Sequence, residues 1–279
     1  MTPAGAEVDS EPFFLGSDAG QRFCLFHRPA GPCRGAVLYV PPFAEELNRT
    51  RRMAALGARR LAAHGYGVLQ IDLAGTGDSA GDFGDATWPI WVADVAEAVR
   101  WLRVRTGFAP FVWGLRSGCL LAVAAVAALE SAPDLVFWQP VLSGRQHLQQ
   151  FLRLRVAGEL IGRAGADRTG TAELRAKLEG GATLDIAGYA LVPGVAMGLD
   201  AADLAPLPAR VRVAWLEVSS SEPPELSPAA RMRVSAWQAA GSDVRPVAVA
   251  GLPFWQTQEI AECPALIDAT TSAVLRWCA

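Results

Sequence analysis

Residues 111–121 are FVWGLRSGCLL, an apolar run followed by a short polar turn and a second apolar run. The first run favours a buried strand and the second a buried helix. Gly114 and Gly118 stand two residues on either side of Arg116, which is the spacing of the G-x-S-x-G nucleophile elbow, a sharp strand-to-helix turn. Arg116 therefore occupies the apex, where that motif places its nucleophile. A guanidinium stays protonated and cannot attack a carbonyl carbon.

Short apolar runs alternate with helical patterns on both sides of this turn. Strands are predicted at 21–27, 35–40, 67–72, 110–114, 134–139, 211–218 and 243–250, and helices at 45–64, 88–105, 118–130, 227–240 and 264–278. Continuously apolar strands separated by helices indicate a mostly parallel sheet that is covered on both faces. Together with the elbow, this order predicts an α/β-hydrolase fold with a mostly parallel eight-stranded sheet flanked by helices.

One segment interrupts the alternation of strands and helices. Helical patterns at 145–160 and 172–179 follow each other without a strand between them. We therefore expect a helical cap at 143–208, inserted into a core made of 1–142 and 209–279. The cap should lie over the carboxyl edge of the sheet, where open α/β sheets bind their ligands.

The composition excludes several classes of protein. With 279 residues, of which 51% are hydrophobic, the chain is long and apolar enough for one large core, and its net charge of −3 argues against nucleic-acid binding. The longest apolar run, 119–129, is too short to span a bilayer. The five cysteines are scattered without a C-x-x-C pair, which favours reduced thiols and no metal site. We expect a cytoplasmic protein without a cofactor. The sequence does not decide whether the protein is a monomer or a homodimer.

The candidate nucleophile is Ser117, next to the apex. For Ser117 to be the apex itself, Leu115 and Cys119 would have to be small residues. The alternative is that Ser117 is an ordinary residue at the start of the helix.

A catalytic histidine is expected after the last strand, but residues 251–257 are GLPFWQT, with Phe254 or Trp255 in its place. Neither ring accepts a proton. His147, at the start of the cap, either overhangs the site or is a polar surface residue.

Two loops supply the other candidates. Glu222 follows the strand at 211–218 and is either a catalytic acid or a solvated carboxylate. The loop at 41–52, PPFAEELNRTRR, would supply a backbone N–H near Phe43, which would form an oxyanion hole together with a backbone N–H near Ser117. Its Glu45 and Glu46 either stabilise the positive end of a helix or pair with Arg116 across the cleft. We therefore predict Arg116, Phe43, Glu45, Glu46 and Trp255 as ligand-binding residues.

Long segments of the chain resemble one family, the exosortase A system-associated hydrolase type 2 proteins of the α/β-hydrolase superfamily. The segments are PPFAEELNRTRRM (41–53), DLAGTGDSAGDFGDATW (72–88), WGLRSGCLLA (113–122), WQPVLSGRQHLQQFLRLRVAG (138–158), IAGY (186–189) and GLPFWQTQEI (251–260). The resemblance implies that arginine at the elbow is a family trait. It also implies a bacterial cytoplasmic protein encoded with genes for exopolysaccharide synthesis and for exosortase/PEP-CTERM sorting.

Three functions are compatible with these residues. The first is hydrolysis of an ester or thioester by unusual machinery, with Ser117 and Glu222 as catalytic residues. The second is binding of a small molecule, such as an acidic saccharide-related ligand, in a cleft under the cap, by a protein with a degenerate Ser–His–acid triad. The third is binding of a partner protein through exposed aromatic side chains.

Overall fold

The computed structural model describes residues 8–16, 20–162, 170–204 and 211–277, without the side chains of 159–162. The strands are β1 Ser10–Leu15, β2 Arg22–His27, β3 Gly35–Val40, β4 Tyr66–Ile71, β5 Phe111–Leu115, β6 Leu135–Trp138, β7 Leu184–Ile186, β8 Tyr189–Leu191, β9 Arg212–Ser219 and β10 Asp243–Ala250. The helices are α1 Glu45–Ala63, α2 Trp88–Thr106, α3 Gly118–Val126, α4 Gly144–Gly162, α5 Thr171–Glu179, α6 Pro193–Ala201, α7 Pro228–Ala239 and α8 Pro264–Trp277.

Eight strands form one sheet in the order β1-β2-β4-β3-β5-β6-β9-β10. In this sheet order, all neighbouring strands from β4 to β10 are parallel. At the other edge, β1 pairs with β2 and β2 pairs with β4 in antiparallel orientation. The predicted α/β-hydrolase fold is therefore confirmed. Because β3, β5, β6, β9 and β10 run in the same direction, the loops that follow them meet at one edge of the sheet.

Side chains alternate between the two faces of the sheet, as the strand geometry requires. Along β3, Val37 and Tyr39 pack against α1 and α8 in one hydrophobic cluster. Leu38 and Val40 belong to a second cluster, which contains residues of α2, α3 and α7. Helices therefore cover both faces, which explains why β3 and β5 are apolar at every position.

The described residues between β6 and β9 form three helices and a hairpin. The buried side chains of α4, α5 and α6 and of the β7–β8 hairpin join the same cluster as α2 and α3. The predicted cap boundaries at 143–208 stay a prediction, and positions 163–169 and 205–208 lie outside the described residues. Within the described residues, no helix is both long enough and apolar enough to cross a membrane.

The structure corrects several details of the element prediction. The eighth strand is β1, which contains Pro12 and whose alternating exposure is typical of an edge strand. The β7–β8 hairpin and α6 were not predicted, because three-residue strands and a nine-residue helix leave little periodic signal. Helix α3 ends at Val126 rather than 130, where Ala128 and Leu129 donate hydrogen bonds three residues back along the chain.

Candidate functional site

The turn between β5 and α3 has the backbone of a nucleophile elbow. Arg116 has a φ of 54°, in the left-handed region, although it is not a glycine. A Cβ on Gly114 would lie 2.8 Å from the Cα of Cys119, and one on Gly118 would lie 2.6 Å from the carbonyl oxygen of Pro41. Only glycine fits at these two positions. The apex is therefore Arg116, as its spacing from the glycines predicts.

The guanidinium of Arg116 is held by an acidic side chain from α1. Its Nε donates to both carboxylate oxygens of Glu46, at 3.1 and 3.3 Å, and its Nη1 donates to the carbonyl oxygen of Gln139 at 3.4 Å. The side chains of Arg116 and Glu46 are only 13% and 8% exposed. This outcome supports the second of the two roles considered for Glu46, since its carboxylate pairs with Arg116 across the cleft.

An aromatic ring from the loop after β10 completes the surroundings of this guanidinium. The Arg116 Cζ lies 5.4 Å from the ring centroid of Trp255, within cation–π range. Phe254 is fully buried and packs against Trp138 on the other side of the loop. Of the two aromatic residues considered for the position of the catalytic histidine, Trp255 is therefore the one that faces the apex.

The hydroxyl of Ser117 is engaged by the backbone of the loop after β3. Ser117 is buried, and its Oγ accepts a hydrogen bond of 2.9 Å from the N–H of Phe43. Enzymes with this elbow build their oxyanion hole from a backbone donor in that same loop and from the N–H of the residue after the nucleophile. Here the backbone N–H of Phe43 donates to the Ser117 hydroxyl, so this donor is already engaged. Its backbone is helical, with φ of −65° and ψ of −21° at the start of α3.

Two carboxylates stand side by side at the start of α1. Burial raises the pKa of the Glu46 carboxyl, and the charge and hydrogen bonds of Arg116 act in the opposite direction. Burial and the neighbouring Glu46 also raise the pKa of Glu45. Glu45 Oε2 is buried and has no hydrogen-bond partner among the described residues. Glu45 therefore has an oxygen free to accept a hydrogen bond from a ligand.

His147 belongs to the site, which corrects the alternative of a polar surface residue. It lies in the first turns of α4, is 7% exposed, and packs its ring edge-on against Phe43 at 6.1 Å. Burial, and to a lesser extent the charge of Arg116, lower the pKa of His147 to about 3. Both ring nitrogens are buried without a partner in the described part of the chain. His147 is therefore a neutral imidazole with one free donor and one free acceptor.

These side chains line one cavity of about 250 Å³ between α1, α4 and the loops after β5 and β10. The residues that it brings together are Phe43, Glu45, Glu46, Arg49, Arg116, His147, Gln150, Phe151, Leu154, Trp255 and Gln256. All five predicted ligand-binding residues are among them. Glu222 is not: it lies exposed in the loop after β9, and Ser117 lies beneath the cavity with its hydroxyl turned to Phe43.

The titratable side chains of His27 and Cys119 are not among those that line the cavity. His27 is fully buried between Ser10 and Gln70, each 2.8 Å from one of its ring nitrogens. Burial raises the pKa of the Cys119 thiol, which is fully buried. Cys24, Cys33, Cys119 and Cys263 are free thiols, and Cys278 lies outside the described residues. No group of three or more potential metal ligands occurs within the described ranges.

Sequence reasoning did not identify Gln139 as part of the site. Gln139 has a φ of 44°, and its side-chain Oε1 accepts a hydrogen bond of 2.9 Å from Val218 N. This fixes the end of β6 against β9 and turns the Gln139 carbonyl toward Arg116. Two signals could have identified it: its position at the end of a strand beside the elbow, and its place in the segment 138–158 that carries the family resemblance.

Solved structures with this fold cover nearly the whole chain. Est1E from Butyrivibrio proteoclasticus, solved with ferulic acid, has a TM-score of 0.65 at 14% identity, with 95% of this chain and 98% of that chain covered. A carboxyl esterase from Bacillus coagulans, solved with glycerol, has a TM-score of 0.64 at 12% identity, covering 98% and 100%. Mouse alpha/beta hydrolase domain-containing protein 10 has a TM-score of 0.58 at 17% identity, with 96% of this chain and 98% of that chain covered. At these identities the likeness concerns the fold.

Comparison with curated protein sequences gives no match. A family profile does match: that of the serine aminopeptidase, S33 family covers residues 31–178, just over half of the chain. The matched part contains β3, the elbow, α4 and every cavity residue except Trp255 and Gln256. The chain thus belongs to the serine aminopeptidase, S33 family of the α/β-hydrolase superfamily.

Proposed function

We propose that this protein binds a small ligand in the elbow cavity and does not form an acyl-enzyme there. The observation that carries the proposal is the guanidinium of Arg116 at the apex of the elbow, held between Glu46 and the ring of Trp255. A permanently charged side chain takes the place of the nucleophile, and an aromatic ring takes the place of the base. The Ser–His–acid triad is degenerate at both positions.

Hydrolysis of an ester or thioester is the competing function. The superfamily and the free imidazole of His147 favour it. Two features argue against it: a histidine with a pKa of about 3 is a weak base, and the hydroxyl of Ser117 is buried against Phe43. The role of Glu222 as a catalytic acid has no support from its exposed position in the loop after β9.

Two measurements separate these functions. The first is labelling with a fluorophosphonate probe together with turnover of p-nitrophenyl esters and an acyl thioester. We expect neither. Turnover that is lost in Ser117→Ala would overturn the proposal.

The second measurement is a thermal-shift screen of acidic metabolites, nucleotide sugars and neutral sugars. We expect stabilisation by at least one compound in the wild type and in Arg60→Ala, whose guanidinium lies on the outer face of α1 and pairs with Asp268. We expect none in Arg116→Ala. Stabilisation that persists in Arg116→Ala would place the ligand elsewhere.

We further propose that the protein belongs to the exosortase A system-associated hydrolase type 2 group and acts in the bacterial cytoplasm alongside exopolysaccharide synthesis and exosortase/PEP-CTERM sorting. The support is the set of sequence segments at 41–53, 72–88, 113–122, 138–158, 186–189 and 251–260. Four of these segments contribute cavity residues. Co-purification with products of neighbouring genes tests this setting, and recovery of none of them would count against it.

A further inference from the structure

The elbow cavity concentrates polar atoms that lack a partner. Glu45 Oε2, both ring nitrogens of His147 and Trp255 Nε1 are buried without a hydrogen bond to any described residue, and all three residues line this one cavity. Leaving a buried polar atom without a hydrogen-bond partner destabilises the folded protein. Such a cluster in one small volume indicates that a ligand supplies the missing hydrogen bonds.

The charges around the cavity balance. Arg116 is already paired with Glu46, and the exposed Arg49 at the mouth stands near Glu45. A further anion would be repelled by two carboxylates, and the positive charge of the Arg116 guanidinium is already balanced by Glu46. A cation would meet Arg49 and Arg116. The balance therefore favours an uncharged ligand over the acidic one expected from the sequence.

The free atoms define the groups that such a ligand must carry. Glu45 offers an acceptor, Trp255 offers an N–H donor, and the neutral imidazole of His147 offers one of each. A hydroxyl group both donates and accepts, so a molecule with several hydroxyls satisfies all of them. The rings of Phe43, Phe151 and Trp255 provide apolar walls for its C–H faces.

We propose that this cavity selects a neutral, multiply hydroxylated molecule of about monosaccharide size, and that Glu45, His147 and Trp255 determine this specificity. The proposal rests on the ligand-binding function proposed above and adds the chemical class of the ligand.

The test compares sugars that differ only in charge. Glucose, galactose and mannose are titrated against glucuronate, galacturonate and mannuronate by calorimetry. We expect at least one neutral sugar to bind roughly tenfold or more tightly than its uronate, a difference of about 1.4 kcal/mol. Tighter binding of a uronate would overturn the ligand class and leave the ligand-binding function intact.

Two variants test the assigned residues. His147→Phe removes both ring nitrogens at similar volume, and Glu45→Gln keeps the shape but replaces a carboxylate acceptor with an amide. We expect each variant to weaken binding of the neutral sugar roughly tenfold. Each should keep the circular dichroism spectrum of the wild type, which shows that it is folded. Met232→Ala, on the exposed surface of α7, should leave the affinity unchanged. Unchanged affinity in both cavity variants would overturn the assignment.

If none of the tested sugars bound, the proposed ligand class would also be overturned. The ligand-binding function itself would fail only if the wider thermal-shift screen gave no stabilisation that depends on Arg116. The two failures are thereby distinguished.

Discussion

Arg116 Nε lies 3.1 Å from Oε1 of Glu46, so a carboxylate in the first turn of α1 holds the side chain at the tip of the elbow. The two residues are seventy positions apart in the chain. They meet because β3 and β5 are adjacent parallel strands, and the loops that follow them leave the sheet at the same edge. The pair closes the floor of the cavity at the place where a catalytic hydroxyl would be exposed.

Arg116→Ala should destabilise the protein by about 3 kcal/mol, because it leaves the Glu46 carboxylate buried without a partner. The loss should be larger at pH 8 than at pH 5, since burial raises the pKa of Glu46 and protonation relieves the uncompensated charge. Urea denaturation at the two pH values measures this. Arg231→Ala, which breaks an exposed pair with Glu225, should cost less than about 1 kcal/mol.

The double variant Arg116→Met/Glu46→Leu provides a second check of the same pair. Apolar side chains of similar volume remove both charges together, so the double variant should be more stable than Arg116→Ala. Equal stabilities of the two would show that the cost in Arg116→Ala comes from lost packing rather than from an uncompensated carboxylate.

Gly118→Ala should prevent folding or destabilise the protein by more than about 4 kcal/mol. The new Cβ would collide with the carbonyl oxygens of Val40 and Pro41, which are backbone atoms of the neighbouring strand end and cannot move aside. Gly158→Ala is the matched control, because a Cβ at that helical position would meet no described atom within 4 Å apart from its own helix backbone. It should be neutral or stabilise by up to about 1 kcal/mol. Thermal melts of the two variants decide this.

Much of the fold followed from local signals. The spacing of Gly114 and Gly118 gave the elbow, and the apolar strands gave the parallel sheet, because each of these features is specified within a dozen residues. Helix α2 could be placed for the same reason: Thr87 caps its start and Gly107 ends it in the left-handed conformation.

The site was harder to predict, because it depends on distances between segments far apart in the chain. Glu46 and Trp255 were proposed from their places after strands, which topology brings to one edge. His147 had two possible roles, since a single histidine on a helix carries no sign of the face that it occupies. Glu222, like Trp255, is a candidate because it lies in a loop that follows a strand, but in the structure it is exposed. Strand ends therefore identify candidates, and packing selects among them.

Ser117→Ala should destabilise the protein by about 1–3 kcal/mol, because the N–H of Phe43 loses its buried acceptor. The exposed Ser220→Ala should change the free energy of unfolding by less than about 0.5 kcal/mol. Chemical denaturation of both variants provides the comparison. If Ser117→Ala were as neutral as the control, the hydrogen bond to Phe43 would contribute nothing, and the hydroxyl would be free for another role.

The last prediction concerns pH. His147 has a folded-state pKa of about 3 against an ordinary value of 6.5, so the folded state binds fewer protons than the unfolded chain between these values. Stability from this group is complete above pH 6.5 and falls as the pH is lowered toward 3, at up to about 1.4 kcal/mol per pH unit. Arg116 opposes protonation of the ring, and Glu45 across the cavity does not reach it with a hydrogen bond.

His147→Phe should flatten the dependence of stability on pH between 4.5 and 6.5. His27, which is also buried with a lowered pKa, contributes to both proteins and cancels in their difference. Urea midpoints at half-unit pH steps for wild type and variant give that difference directly. Parallel curves would mean that the imidazole of His147 titrates in the folded protein as it does in water, and then its nitrogens would already be solvated and would not need a ligand.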